Sequence, residues 1–117
     1  MSHFYLTIDD APTKYTAEKL DFLDKYGIKA IWFCVGEYIE NNRNIALSAI
    51  KRGYKIGNHS YSHNRFSEMT METAQEEIQK TEKIIQELYK EACISNYAKL
   101  FRFPYGDKEI VNPGFLR

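Results

Sequence analysis

Short apolar runs alternate with amphipathic stretches along this chain. The runs at 3–9, 28–36, 54–58 and 99–106 are rich in β-branched and aromatic residues, and we predict a strand in each. The second run, IKAIWFCVG, is continuously apolar, which is typical of a strand buried on both faces of a parallel sheet. The pattern therefore predicts four strands separated by polar, periodic segments.

The segments between the runs place apolar residues at helical spacing. We predict a first helix with Thr16 as its N-cap and Gly27 as the residue just beyond its C-terminus. A second helix is predicted over 43–52, and a third over about 70–89. The order β-α-β-α-β-α-β, with short loops and right-handed crossovers, predicts a parallel α/β fold.

Composition narrows the class of protein. The chain has 117 residues, which limits it to one domain, and 16 basic and 16 acidic residues give zero formal net charge. We therefore expect no nucleic-acid partner and no binding to an acidic membrane. No apolar run reaches the roughly 20 residues that span a bilayer, and the start, MSHFYLTIDD, lacks the features of a signal peptide. A cytoplasmic location is the resulting expectation.

The two cysteines, Cys34 and Cys93, are isolated and have no CxxC spacing. This favours a reducing compartment over a disulfide framework. We expect each thiol to act as a small buried hydrophobic group.

Polar residues cluster where three of the predicted strands end. Asp9 and Asp10 end the first strand, His59 and His63 follow the third, and 102–106 ends the fourth. The carboxyl ends of parallel strands meet at one edge of a sheet, where the chemistry of α/β folds gathers. We therefore predict that these residues converge.

Each cluster also has a structural alternative. Adjacent carboxylates on a strand point in different directions, so one can face a metal and the other a substrate, but either can instead cap the next turn. His59 and His63 can reach one ion if the backbone continues as a helix, because side chains four residues apart share a face; otherwise they are two loop histidines. Ser60 excludes the HExxH pattern of zinc proteases.

Two imidazoles and one carboxylate form a standard catalytic zinc set that leaves one position open for water. The segment RFPYG adds Arg102, which can orient a carboxylate, and a turn that can aim a backbone N–H at an oxyanion. A surface arginine followed by a structural turn is the alternative for this segment.

In combination, these segments resemble the motifs of the polysaccharide deacetylase family, the NodB homology domain of carbohydrate esterase family 4. LTIDDAP resembles the family's TFDDGP, HSYSH matches H-(S/T)-x-x-H, and RFPYG matches R-x-P-Y-G, in the same order. KYGIKAIWFCVG also resembles the family's KYGVKATFFVVG, and the similarity covers nearly the whole chain. The resemblance implies a distorted (β/α) barrel of seven or eight strands, of which residues 1–117 form one partial domain of about four β/α units.

The resemblance also implies roles for individual residues. Asp9 corresponds to the catalytic base, and Asp10, His59 and His63 correspond to the ligands of a divalent metal, usually zinc and sometimes cobalt or nickel. The implied reaction is metal-dependent hydrolysis of N-acetyl groups on a polysaccharide such as chitin or peptidoglycan. It releases acetate and leaves a free amine.

Two further roles and one departure follow. Arg102 corresponds to the residue that orients the base, and Tyr105 to the residue whose backbone N–H binds the oxyanion. Ala11 stands where the family usually has glycine, and we expect local strain if that position needs a positive φ.

The family's fourth and fifth motifs, including the histidine that protonates the leaving amine, have no counterpart in this sequence. Asn112 and Pro113 predict the N-cap and first residue of a further helix near the end. We therefore expect a truncated half-barrel with very low or no activity alone, and a homo-oligomer that covers the open edges. The alternatives are a metal-binding or glycan-binding relic without turnover, or a purely structural half-barrel.

Overall fold

The computed structural model describes residues 6–106, and within that range it contains one parallel sheet of three strands in the order β1-β2-β3. Strand β1 covers Leu6–Ala11, β2 covers Ala30–Cys34 and β3 covers Lys55–Asn58. Because all three strands run in the same direction, their carboxyl ends lie at one edge of the sheet. The predicted parallel α/β class is confirmed.

The predicted fourth strand over 99–106 forms only in part. Phe101 makes a single parallel bridge to Asn58, flanked by two backbone hydrogen bonds of 2.7 and 2.9 Å. Pairing stops because the chain turns at Pro104–Gly106, and proline has no N–H to donate to a ladder. The segment still lies beside β3, and this places its arginine at the carboxyl edge of the sheet.

In the described part of the chain, three α-helices connect the strands and a fourth follows β3. Helix α1 covers Thr16–Lys25, α2 covers Gly36–Asn41, α3 covers Arg43–Lys51 and α4 covers Met71–Glu91. A short 3-10 turn at Phe66–Glu68 precedes α4. The predicted helices correspond to α1, α3 and α4. No prediction anticipated α2, because six residues that bury only two side-chain positions are too few to show a helical period.

The predicted helix ends are partly correct. Gly27 follows α1 with φ of +65°, the left-handed conformation expected there. Thr16, however, is the first helical residue, and Tyr15 occupies the N-cap position. The Thr16 hydroxyl accepts a hydrogen bond from the N–H of Thr13 at 2.8 Å, so it stabilises the preceding turn. The predicted N-cap at Asn112 lies outside the described residues.

The main core packs between the sheet and the helices. Trp32, at the centre of β2, is 1% exposed, and its ring meets Tyr54 edge-on at 6.4 Å between centroids. A second, smaller cluster contains Phe66, against which Phe101 and Phe103 pack at 5.8 and 5.4 Å. Burial of each such ring stabilises the fold by roughly 1.5–3 kcal/mol. This cluster holds the segment that contains Arg102 against the body of the domain.

The cysteines differ in their environments. Cys34 is buried at the end of β2, as predicted, and burial raises the pKa of its thiol. Cys93 is exposed, so the prediction of a buried group is wrong there. It follows α4 in a left-handed turn with φ of +62°, where the chain leaves the helix.

Strand β1 is the outer strand on one side of the sheet, and no other strand within 6–106 pairs with its free edge. Large apolar side chains are exposed in β1, in α1 and in the segment that leads to β2: Leu6 is 45%, Phe22 59%, Tyr26 58% and Ile28 41% exposed. None of the helices in the described range is both long and apolar enough to cross a membrane. We call these four exposed residues the β1–α1 apolar residues.

Candidate metal centre and catalytic site

Asp10 leaves the regular pairing of β1. The strand register shifts at this point, so that Asp9 pairs with Phe33 while Ala11 pairs with Cys34, and Asp10 forms a bulge with φ of +61°. A bulge redirects the side chain of its extra residue. The sequence predicted that strand alternation would separate the two carboxylates, but the structure separates them through this bulge.

Ala11 itself is not strained. It is paired within β1, it is 3% exposed, and the positive φ lies at Asp10 and not at Ala11. Aspartate tolerates the left-handed conformation better than most residues. The strain that we considered for an alanine at this position is therefore absent.

The two histidines meet through a turn and not through a helix. Ser60 and His63 both have positive φ, +68° and +63°, which is not helical backbone. The helix that we considered directly after the third strand, which would bring the two histidines onto one face, is therefore absent. The turn is closed by hydrogen bonds: Asn58 Oδ1 accepts from the Ser60 N–H at 2.9 Å, and Ser60 Oγ accepts from the His63 N–H at 3.0 Å. The same result, two imidazoles facing one point, arises from irregular backbone.

Asp10 and the two histidines form a compact set of potential ligands. Oδ1 of Asp10 lies 3.3 Å from Nε2 of His59 and 2.8 Å from Nε2 of His63. The ligand atoms of all three residues lie within 4.8 Å of one another. Tetrahedral zinc with ligands at about 2.0–2.1 Å separates neighbouring ligand atoms by roughly 3.3 Å. The donor set and its spacing therefore fit a divalent ion.

A hydrogen bond to the backbone fixes the orientation of the His59 ring. Its Nδ1 lies 2.7 Å from the backbone oxygen of Arg102, and its side chain is 2% exposed. A carbonyl oxygen only accepts hydrogen bonds, so Nδ1 carries a proton, and Nε2 is the ring atom that faces Asp10 and is placed to bind a metal. Such an outer partner is typical of metal-binding histidines.

Asp9 faces a different group. Its Oδ1 accepts a hydrogen bond from Nη1 of Arg102 at 2.9 Å, and the same nitrogen donates to Thr7 Oγ1 at 3.0 Å. The guanidinium also lies over the ring of Phe33, 4.3 Å from its centroid. Both charged side chains are about 40% exposed, so the pair orients Asp9 more than it stabilises the fold.

Tyr105 lies at the rim of the site. Its backbone has φ of +61° in the 3-10 turn, and its ring centroid is 4.7 Å from that of His63. The guanidinium of Arg65 lies 4.4 Å from the ring of Tyr105, which is 60% exposed. The predicted role of its backbone N–H stays a prediction.

One open cavity of about 850 Å³ joins the three potential metal ligands with Asp9, Arg102 and Tyr105. The six residues predicted from the sequence line it together with phenylalanine rings and a glycine: Asp9, Asp10, His59, His63, Arg102, Tyr105, Phe33, Phe101, Phe103 and Gly106. This volume lies within the range of about 300–1,000 Å³ that is common for ligand sites. The structure thus brings the predicted residues together, while their individual roles stay predictions.

The sequence did not indicate Thr7 or Asn58 as contributors. For Thr7 a signal existed, because it is two residues before Asp9 and therefore shares its face of the strand. For Asn58, the residue next to His59, the buried position and its two hydrogen bonds become visible only in three dimensions.

Comparison with known proteins identifies the family of this chain. The family model described as polysaccharide deacetylase matches residues 2–111, and the chain belongs to that family. A peptidoglycan-N-acetylglucosamine deacetylase of Bacillus cereus is 36% identical over 104 residues, which cover 87% of this chain and 36% of the relative.

Two solved structures share the fold. The Bc1960 peptidoglycan N-acetylglucosamine deacetylase, in complex with 4-naphthalen-1-yl-N-oxidanyl-benzamide, has a TM-score of 0.82 and 33% identity over 96% of this chain and 49% of its own. A family 4 pseudoenzyme from Bacillus anthracis has a TM-score of 0.76 and 26% identity over 88% and 35%, respectively. The chain thus spans about a third to a half of these relatives. The described sheet and helices correspond to part of their (β/α) barrel.

Proposed function

We propose that this chain provides the metal-binding and base-containing part of a deacetylase site that hydrolyses N-acetyl groups on a glycan. One observation supports the proposal above all others. The ligand atoms of Asp10, His59 and His63 converge within 4.8 Å, and a second carboxylate, Asp9, lines the same cavity with Arg102 as its separate partner. This arrangement suits metal-assisted hydrolysis, because one carboxylate can bind the ion while the other is available as a general base.

Asp10, His59 and His63 hold the cation in this proposal, and zinc suits two imidazoles and a carboxylate best, with cobalt or nickel as alternatives. When bound, the cation supplies Lewis-acid polarisation of the acetamide carbonyl and activation of a water. His59 keeps its orientation through its bond to the Arg102 carbonyl. Asp10 provides the negative charge that offsets the charge of the ion.

Asp9 acts as the general base and takes a proton from the attacking water at its carboxylate. Arg102, with Thr7 as its second partner, keeps that carboxylate directed into the cavity. The water oxygen forms a bond to the carbonyl carbon, and the backbone N–H of Tyr105 donates to the developing oxyanion. The C–N bond then breaks to give acetate, and the leaving amine takes up a proton from solvent water.

We propose an N-acetylated polysaccharide as the substrate, with peptidoglycan suggested by the names of the relatives. The aromatic residues of the cavity provide apolar surface for sugar rings, and the open shape admits a polymer.

We also propose that copies of the chain associate with one another. The exposed β1–α1 apolar residues provide the surface, and the outer edge of β1 has no paired strand within the described range.

A non-catalytic role is the second candidate. A pseudoenzyme of the same family shares the fold with a TM-score of 0.76, so this fold also occurs in a protein described as non-catalytic. In this alternative the site binds a metal and a glycan without turnover. The two candidates predict the same zinc binding and differ in the release of acetate.

Acetate release from N-acetylglucosamine oligomers tests the proposal. We expect slow release by the zinc-loaded chain, loss of release after dialysis against a chelator, and recovery when zinc is returned. Release that is the same with and without the chelator would contradict the metal-dependent reaction.

Binding of 4-naphthalen-1-yl-N-oxidanyl-benzamide gives a readout that does not depend on turnover. Its hydroxamate group chelates zinc, and the compound occurs in complex with the Bc1960 deacetylase. We expect the zinc-loaded chain to bind it and the metal-free chain not to bind it. Zinc-dependent binding without acetate release would favour the non-catalytic candidate, and absence of both would contradict both candidates.

A further inference from the structure

The turn between the two histidines is attached to helix α2 through backbone hydrogen bonds. The N–H of Gly36 donates to the carbonyl of Ser60 at 2.9 Å, and the N–H of Glu37 donates to the carbonyl of Tyr61 at 3.0 Å. These are N–H groups at the start of a helix, which have no partner within the helix itself. A Cβ on Gly36 would lie 2.4 Å from Thr81 Oγ1, so this close approach requires glycine.

Helix α4 holds the same turn through side chains. Glu77 Oε1 accepts two hydrogen bonds from Ser62, one from its N–H at 3.0 Å and one from its hydroxyl at 2.6 Å. One residue further along α4, the carbonyl of Ile78 accepts from Asn58 Nδ2 at 2.9 Å. Adjacent positions on one helix therefore hold Asn58 and Ser62, the residues that directly precede His59 and His63.

We propose that Glu77 is a positioning residue for His63 and hence for the proposed metal site, on which this inference rests. Ser62 directly precedes His63, whose φ of +63° is uncommon for a residue other than glycine and depends on support from neighbouring structure. The two bonds from Ser62 to Glu77 contribute to that restraint, together with the bond from the His63 N–H to Ser60 Oγ. Glu77 is not among the three clustered ligand residues, so it acts on the metal only through the backbone.

The size of the effect follows from other metal sites. Partners that orient a ligand without touching the ion typically contribute about 10–100-fold to metal affinity. Without Glu77, Ser62 loses two hydrogen bonds, one from its backbone N–H and one from its hydroxyl, and the turn can relax away from the positive φ of His63. The imidazole of His63, 21% exposed, then has freedom to leave the ion.

The test is a zinc titration of substituted chains in competition with a chromogenic chelator. We expect Glu77→Ala to lower zinc affinity by about 10–100-fold. Glu77→Gln retains a carbonyl oxygen at the same position and is expected to restore most of the affinity. Glu76→Ala changes the exposed neighbour on the same helix turn and serves as the matched control, with unchanged affinity expected.

A purely structural role for Glu77 predicts a different result. Loss of helix packing would lower the thermal stability of the metal-free chain and leave the cobalt absorption spectrum of the folded, loaded chain unchanged. The positioning role predicts an altered cobalt spectrum in Glu77→Ala and a normal one in Glu77→Gln. If Glu77→Ala does not fold, Ser62→Ala removes one of the two bonds and is expected to lower zinc affinity to a smaller extent.

Two outcomes overturn the inference and are distinguishable. Glu77→Ala, or Ser62→Ala in its place, with the zinc affinity of the unsubstituted chain would overturn the role of Glu77 and leave the proposed function intact. Failure of the unsubstituted chain to bind zinc would overturn both.

Discussion

Replacement of Asp10 by asparagine is expected to lower the zinc affinity of this chain by at least about 100-fold, beyond the usual range for outer partners of a metal site. Asp10 Oδ1 lies within 3.3 Å of the Nε2 atoms of both histidines, so Asp10 is the third member of the proposed ligand set. Asparagine keeps the shape of the side chain but removes the negative charge that balances the ion. A competition titration with zinc measures the change.

Asp9→Asn is the matched control, because the two residues are adjacent on β1 and both have a carboxyl side chain. Asp9 faces Arg102 and not the histidines, so we expect this variant to keep most of the zinc affinity. Equal losses in Asp9→Asn and Asp10→Asn would contradict the division of roles between them.

The second large effect is on acetate release. We expect Asp9→Asn to lower the rate by about 10²–10⁴-fold, the usual contribution of a general base, with zinc still bound. An asparagine side chain at this position can accept a hydrogen bond from Arg102 but cannot take a proton from water. Initial rates of acetate release from N-acetylglucosamine oligomers, at saturating zinc, measure the effect.

Thr7→Val provides a comparison for that experiment. It removes one partner of Arg102 and leaves the carboxylate of Asp9 in place, so we expect a smaller loss than in Asp9→Asn. If Asp9→Asn and the unsubstituted chain release acetate at equal rates, Asp9 is not the base.

Much of this fold is predictable because the residues that become buried recur at the spacing of helices and strands in the sequence. The apolar run at 28–36 contains the central strand, and Gly27 marks the end of the first helix. Helix α2 escaped prediction because its stability comes from packing and from the turn it contacts, not from a repeated apolar pattern. The 99–106 segment has strand composition, but its proline allows only one bridge.

The site was predictable in its membership but not in its geometry. Residue types at strand ends indicated which side chains converge. The left-handed backbone at Asp10, Ser60 and His63 was not predictable, because none of these positions is a glycine and the conformation is imposed by neighbours. Glu77 was missed because its contact with the turn joins segments 15 residues apart, and no local pattern reports such a contact.

X-ray absorption at the zinc edge of the loaded chain tests the central claim most directly. We predict a first shell of nitrogen and oxygen at about 2.0–2.1 Å that includes two imidazoles, since Asp10, His59 and His63 are the proposed ligands. A shell with sulfur at about 2.3 Å, or one without imidazole, would place the ion elsewhere and contradict the account.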